Sequence, residues 1–180
     1  MTLLHDFNLI ITTQRGNERN CVREVMMLVD EAGGPETRLG RTRFPGLIVG
    51  SVKGDPVELL RRIRPLIERD PWDLRFAQKL IPIQKNVVAD IPHIREAAWE
   101  LAQLIPEGAS FKIAVNKRGS ELRTIELIRE AASKIERKVD LESPDKVIQI
   151  EIIDDIAGIS LIQVDDVVSV TKLQEKAMEG

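Results

Sequence analysis

The stretch that decides the fold of this chain is Phe111–Gly119, with the sequence FKIAVNKRG. Apolar residues at positions 111, 113 and 115 recur with the period of two that places side chains on one face of a β-strand. Lys117 and Arg118 then stand at the end of the predicted strand, just before an amphipathic helix. Such a junction offers a polyanion fixed positive charge and the N–H groups of the first helical turn. It is therefore a candidate phosphate-binding corner; the alternative is a surface turn that the two cations keep soluble.

The rest of the second half alternates helices and strands around this stretch. Apolar residues at helical spacing predict helices from Asp90 to about Ile105 and over 124–136. Two β-branched runs, Val147–Ile153 and 156–164, are separated by Asp154-Asp155 and predict a hairpin. Beyond them the chain is expected to end in a polar tail.

The first half reads as strand, helix, strand, strand, helix, strand. This β-α-β-β-α-β order is the ferredoxin-like pattern. Asp55 and Pro56 are typical of a helix start, and Pro82 interrupts the last strand. The expected elements are strands over 7–13, 37–42, 47–52 and 74–88, and helices over 18–32 and from Pro56. The chain is thus expected to be α+β, with domains 1–89 and 90–180.

Composition excludes several classes of protein. The 180 residues contain 43% apolar residues but no apolar run long enough to span a membrane. The N-terminal residues Met1–Asp6 lack the features of a signal peptide, so a cytoplasmic location is expected. Cys21 is the only cysteine, which excludes intrachain disulfides, cysteine zinc sites and CxxC redox chemistry.

Charge is mixed, with 26 Lys and Arg against 29 Asp and Glu. Residues 1–89 carry a net charge of +3 and residues 90–180 a net charge of −6. The most basic segment is Arg61–Lys85, which indicates either a binding stripe for a polyanion or an ordinary solvated helix face.

Catalytic groups are scarce in this sequence. The only histidines, His5 and His93, have no nucleophile nearby in sequence, and the acidic pairs Asp154-Asp155 and Asp165-Asp166 are expected to be solvated turns. No GxGxxG, GxxxxGK[ST] or GxSxG motif occurs, and the absence of tyrosine disfavours base stacking of the kind RRM domains use. We therefore expect no catalytic residue, no cofactor and no metal, so the chain is expected not to be an enzyme.

Several stretches together carry a family resemblance. In the second half they are Phe111–Arg118, Lys138–Asp145 with its fairly specific V-D-L-x-x-P-D run, Val147–Glu151 and Gly158–Ser160. With them, the second half resembles the THUMP domain, an RNA-binding module of tRNA-modification proteins. Arg75–Ile83 is similar to the strand that connects an N-terminal ferredoxin-like domain to THUMP, and Thr42–Ile48 to a hairpin of the branch that assists tRNA acetylation.

The resemblance implies a ferredoxin-like domain followed by a THUMP α/β domain, with tRNA as ligand. It further implies a stand-alone adaptor that helps a separate RNA cytidine acetyltransferase to make acetylcytidine in tRNA. The oligomeric state stays open. We hypothesise one shared RNA-binding face that combines cations of both halves: Arg75, Lys79, Lys85, Lys112, Lys117, Arg118 and Arg123.

Two other functions remain open. The chain could be the THUMP subunit of another tRNA-modifying enzyme, a methyl- or thio-transferase. It could also be a ferredoxin-like module that binds proteins or small molecules and no RNA.

Overall fold

The computed structural model describes residues 5–180, which fold as a mixed α+β protein with two five-stranded sheets. Met1–Leu4, part of the stretch behind the cytoplasmic expectation, lie outside the described residues. Within residues 5–180, no helix combines the length and the apolar character needed to cross a bilayer. In chain order the elements are β1 (Leu9–Thr12), α1 (Glu18–Glu31), β2 (Thr37–Arg41), β3 (Leu47–Val52), α2 (Pro56–Arg69), β4 (Lys79–Pro82), β5 (Lys85–Val88), α3 (Ile91–Ala102), β6 (Ser110–Arg118), α4 (Thr124–Ala132), β7 (Lys138–Val139), β8 (Lys146–Ile153), β9 (Ile156–Ile162), β10 (Val168–Ser169) and α5 (Val170–Glu179).

The chain divides into two compact units. The central unit is Ile83–Val164, and the outer unit joins the residues up to Pro82 with Asp165–Gly180. The sequence predicts a different division, at residue 89. The difference arises because the C-terminal residues pack into the core of the outer unit instead of following the second half.

The outer unit has an antiparallel sheet in the order β10-β4-β1-β3-β2. Its core includes apolar residues of β1 and the buried stripes of α1 and α2, such as Cys21, Val25 and Ile63. Helix α2 begins as predicted: the Asp55 carboxylate accepts the N–H of Val57 at 2.9 Å, and Pro56 occupies the first turn. The alternation and capping signals of the first half therefore predict its first five elements correctly.

The hairpin between β2 and β3 is held against the end of β1 through Gly46. The Gly46 N–H donates to Glu18 Oε1 at 2.8 Å, and its carbonyl accepts the Thr13 N–H at 2.9 Å. Gly46 has φ +77°, and a Cβ at this position would lie 2.4 Å from the Thr13 carbonyl oxygen. Only glycine fits here without strain, because both the left-handed backbone and the close approach exclude a side chain.

We expect Gly46→Ala to lower the free energy of unfolding by about 1–3 kcal/mol, since the variant must hold a strained backbone or displace Thr13. Urea denaturation followed by circular dichroism measures the loss. Gly16→Ala is the matched control, because Gly16 also has positive φ (+94°) but a Cβ there would meet no atom within 4 Å. An equal loss in the two variants would contradict a contribution from the close contact with Thr13.

The strand predicted over residues 74–88, with an interruption at Pro82, is wrong in its first part, because residues 74–78 form no strand. A 3₁₀ turn at Pro71–Asp73 precedes this segment, strand β4 lies in the outer sheet, and strand β5, beyond Pro82, lies in the central sheet. A side chain replaces the strand partner before β4: the Glu24 carboxylate accepts the N–H groups of Arg75, Phe76 and Ala77, with shortest distances of 2.6, 3.1 and 2.7 Å. Backbone donors satisfied in this way need no neighbouring strand.

The polar tail predicted after residue 164 is also wrong. Strand β10 pairs with β4, and Val168, Val170 and Leu173 lie in the core of the outer unit. Asp166, expected in a solvated turn, is 5% exposed and accepts two hydrogen bonds from Arg61, at 2.8 and 3.0 Å. The C-terminal segment is therefore an integral part of the outer unit.

The central unit has a sheet in the order β5-β9-β8-β6-β7, in which β6 is parallel to β7 and β8. Helices α3 and α4 pack on one face through a core that includes Ile94, Leu127 and Phe111. The predicted hairpin is confirmed: β8 and β9 pair antiparallel around Asp154, which has φ +54°.

Candidate nucleic-acid interface

Polar side chains of the central sheet occupy the face opposite α3 and α4. The alternation that places Phe111 and Ile113 in the core directs the intervening residues of β6 to this second face. In the strand register Asn116 lies beside Glu151, and Glu151 lies beside Gly158. Three of the stretches that carry the family resemblance, in β6, β8 and β9, are thus neighbours in the sheet.

Glu151 is the centre of this polar face. Its carboxylate has no solvent exposure and accepts hydrogen bonds from Asn116 Nδ2 at 2.7 Å, Gln149 Nε2 at 2.8 Å and Arg118 Nη1 at 2.9 Å. A buried carboxylate requires such partners, because its desolvation otherwise costs several kcal/mol. Sequence reasoning missed this cluster, although the alternation of Gln149 and Glu151 with isoleucines in a buried strand was a signal for it.

The two cations of the predicted phosphate corner have different environments. Lys117 is exposed, and its amine donates to the Leu122 carbonyl. Arg118 was expected at the surface, but its side chain is only 21% exposed because it pairs with Glu151. Arg123, directly before α4, is exposed. The corner therefore presents Lys117 and Arg123 to solvent, whereas Arg118 mainly neutralises a buried charge.

Lys85 and Lys112 lie on opposite faces of the central sheet. Lys85 is opposite Ile159, a core residue, and its amine pairs with Glu100 on α3. Lys112 is half-buried on the other face, opposite Val147. Two strands, β8 and β9, also separate β5 from β6. The strand alternation thus excludes one shared face for Lys85 and Lys112.

Arg75 and Lys79 belong to the outer unit. Arg75 is exposed, whereas Lys79 is half-buried on β4, opposite Thr12. Neighbouring arginines of the predicted basic stripe are largely neutralised by ion pairs: Arg61 with Asp166, Arg64 with Glu68 and Arg69 with Glu31, at 2.8–2.9 Å.

The V-D-L-x-x-P-D run forms a hydrogen-bonded loop. Asp140 accepts the N–H groups of Ser143 and Glu142 at 3.0 and 3.1 Å, and these two contacts lower its pKa. Asp145 accepts the N–H of Ser110 at 2.9 Å and so attaches the loop to the start of β6. The two acidic residues of the run therefore fix the loop beside the edge strand β7.

Comparison with protein families identifies the central unit. Residues 88–162, from the end of β5 to the end of β9, match the family model for the THUMP domain. These residues form a THUMP domain. The Glu151 cluster and the V-D-L-x-x-P-D loop both lie within the THUMP domain, whereas the outer unit lies outside the match. No curated protein matches the chain by sequence.

Solved structures share the fold of most of the chain. PH1313 from Pyrococcus horikoshii Ot3 is 15% identical with a TM-score of 0.58, over 87% of this chain and 55% of its own length. TrmN from Thermus thermophilus is 18% identical with a TM-score of 0.54, over 85% of this chain and 44% of its own length. A 4-thiouridine synthetase in complex with RNA and ATP is 13% identical with a TM-score of 0.52, over 88% of this chain and 42% of its own length. This chain spans about half of their length.

The cysteine and the described histidine with a resolved contact, Cys21 and His93, are each involved in packing or helix capping. Cys21 is buried in the outer core, and burial raises the pKa of its thiol to about 12. His93 Nδ1 lies 2.7 Å from Asp90 Oδ1 at the start of α3. The Asp90 pKa is lowered, first by the His93 N–H and then by the His93 side chain. Among residues 5–180, no three His, Cys, Asp or Glu side chains are grouped as ligands for a metal ion.

Proposed function

We propose that this chain is a non-catalytic tRNA-binding adaptor that assists a separate RNA cytidine acetyltransferase in forming acetylcytidine in tRNA. The observation that carries the proposal is the THUMP domain at residues 88–162. The outer unit supports it, because its β-α-β-β-α-β element order and the strand neighbours β4-β1-β3-β2 in its sheet fit the ferredoxin-like domain that the resemblance implies before THUMP. The acetylation branch itself is supported by the similarity of Thr42–Ile48 to the adaptor hairpin.

A second candidate function has its own support. The solved structures with this fold include a 4-thiouridine synthetase in complex with RNA, which favours RNA as the ligand and leaves the modification open. The chain could then assist a methyl- or thio-transferase instead. Recovering the RNA and protein bound to the tagged chain in its native cell distinguishes the two: an acetyltransferase supports the first function, and a methyl- or thio-transferase the second.

We expect the purified chain to bind folded tRNA but to transfer no acetyl group to it from acetyl-CoA. Binding should be electrostatic, with log affinity falling with log salt by roughly 0.7–0.9 per phosphate contacted. Fluorescence anisotropy at several salt concentrations measures the slope, and nucleoside analysis of the tRNA detects acetylcytidine. No binding at low salt would favour a protein-interaction module, and acetylation without a second protein would exclude the adaptor.

A further inference from the structure

Three arginines surround an open concavity in the outer unit. Arg15 follows β1, and Arg41 and Arg43 lie at the tip of the β2–β3 hairpin. All three are exposed and line a cavity of about 570 Å³. Sequence reasoning missed this arginine corner, defined here by Arg15, Arg41 and Arg43, because Arg15 is far from the other two in the chain.

The backbone around the arginine corner is fixed by a dense set of hydrogen bonds. Gly46 connects the hairpin to Glu18 and Thr13, as described above. The Thr42 hydroxyl contacts the Leu47 carbonyl at 3.0 Å and accepts the Phe44 N–H at 3.1 Å. The Arg43 guanidinium lies 4.2 Å from the centre of the Phe44 ring. The arginines are therefore held on a preorganised frame, which reduces the entropy that binding must offset.

The positive charges of Arg15 and Arg41 are not neutralised locally. Glu18 is the only acidic residue that lines the cavity, among the residues that the structure describes. Its carboxylate is bound by the Gly46 N–H, which is the main cause of its lowered pKa; Arg41 contributes less. Within residues 5–180, neither Arg15 nor Arg41 has an ion pair of 4 Å or less, in contrast to the paired Arg61, Arg64 and Arg69.

We propose that the arginine corner binds backbone phosphates of the RNA, an inference that rests on the proposed function. The guanidinium group matches phosphate through paired N–H donors. Apart from Gly16 and Pro45 the lining is polar or charged, which fits a nucleic-acid surface better than a protein interface with its apolar centre. The central unit carries a net charge of −3, so exposed cations of the outer unit that have no ion pair add to the few that the central unit presents, such as Lys117 and Arg123.

The test compares full-length variants in tRNA titrations by fluorescence anisotropy. Arg15→Gln/Arg41→Gln removes two charges and leaves the Arg43–Phe44 contact in place. The matched control is Arg62→Gln/Arg69→Gln, which also removes two positive charges from the outer unit. In the unsubstituted chain Arg62 donates to the Gly33 carbonyl and Arg69 to Glu31. We expect the first variant to bind roughly tenfold more weakly at low salt and to lower the salt slope by about 1.4–1.8, because two phosphate contacts are lost. The control should stay within about twofold of the unsubstituted chain.

Each outcome has a defined meaning, given melting curves that show all variants folded. Equal affinities for the Arg15/Arg41 variant and the unsubstituted chain would overturn the inference and leave the proposed function intact; the corner would then be available to an acidic protein partner. Equal losses in both double variants would also overturn it, since net charge alone would explain them. If the unsubstituted chain binds no tRNA at low salt, the proposed function fails, and this inference with it.

Discussion

Removal of Asp165–Gly180 should unfold the outer unit. The deletion takes Val168, Val170 and Leu173 out of the core and removes the strand that pairs with β4. Burial of three such side chains contributes about 4–9 kcal/mol, comparable to the whole stability of many domains. The deletion also leaves Arg61 without its carboxylate partner. We expect the shortened chain to lose the cooperative thermal transition of the outer unit and the hydrogen-exchange protection of β1, β3 and β4.

A shorter deletion is the control for this prediction. Ala177–Gly180 are all exposed, and their removal keeps the hydrogen bonds from Gln174 to the carbonyls of Pro71 and Leu74. Removal of these four residues should change the free energy of unfolding by less than about 1 kcal/mol. The prediction fails if the chain that ends at Val164 melts like the full-length protein.

Arg118→Ala should be the most damaging single substitution of a cation in the THUMP domain. The variant leaves the Glu151 carboxylate buried without its charged partner, which typically costs about 3–5 kcal/mol. Lys117→Ala is the neighbouring control: its side chain is exposed, so a change within about 0.5 kcal/mol is expected. Urea denaturation with a common m value for the variants measures both differences.

A second substitution tests the cause of this loss. Glu151→Gln in the Arg118→Ala background removes the unpaired buried charge while an amide oxygen still accepts one hydrogen bond. The double variant should therefore be more stable than Arg118→Ala alone. A double variant that is less stable would mean that charge burial is not the cause. In either case, weaker tRNA binding by Arg118 variants has to be separated from their loss of stability.

The sequence predicts most elements of this fold because their signals are local. Apolar periodicity, the Asp55-Pro56 start of α2 and the Asp154-Asp155 turn each specify structure within a few residues. The two wrong predictions depend on distant partners instead. Glu24 replaces a strand neighbour for residues 75–77, and the C-terminal segment finds its core partners in the first half of the chain.

The candidate site is less predictable, because exposure and pairing of charges are tertiary properties. The sequence identifies Arg118 as a cation at a strand end. Only the register of β6 with β8 shows that its guanidinium donates a hydrogen bond to the Glu151 carboxylate. The difference in net charge between residues 1–89 and residues 90–180 also depends on where the chain is divided. With Asp165–Gly180 assigned to the outer unit, that unit is neutral and the central unit carries −3.

The split outer unit has a consequence for synthesis on the ribosome. After β4 emerges, translation must proceed through the whole central unit before β10 exists, which takes roughly 4–16 s at about 5–20 residues per second. During this interval β4 is an unpaired edge, and unpaired edges invite association with other chains. The THUMP domain, whose residues are contiguous, can fold first. The nascent protein is thus expected to acquire its THUMP domain before its outer unit is complete.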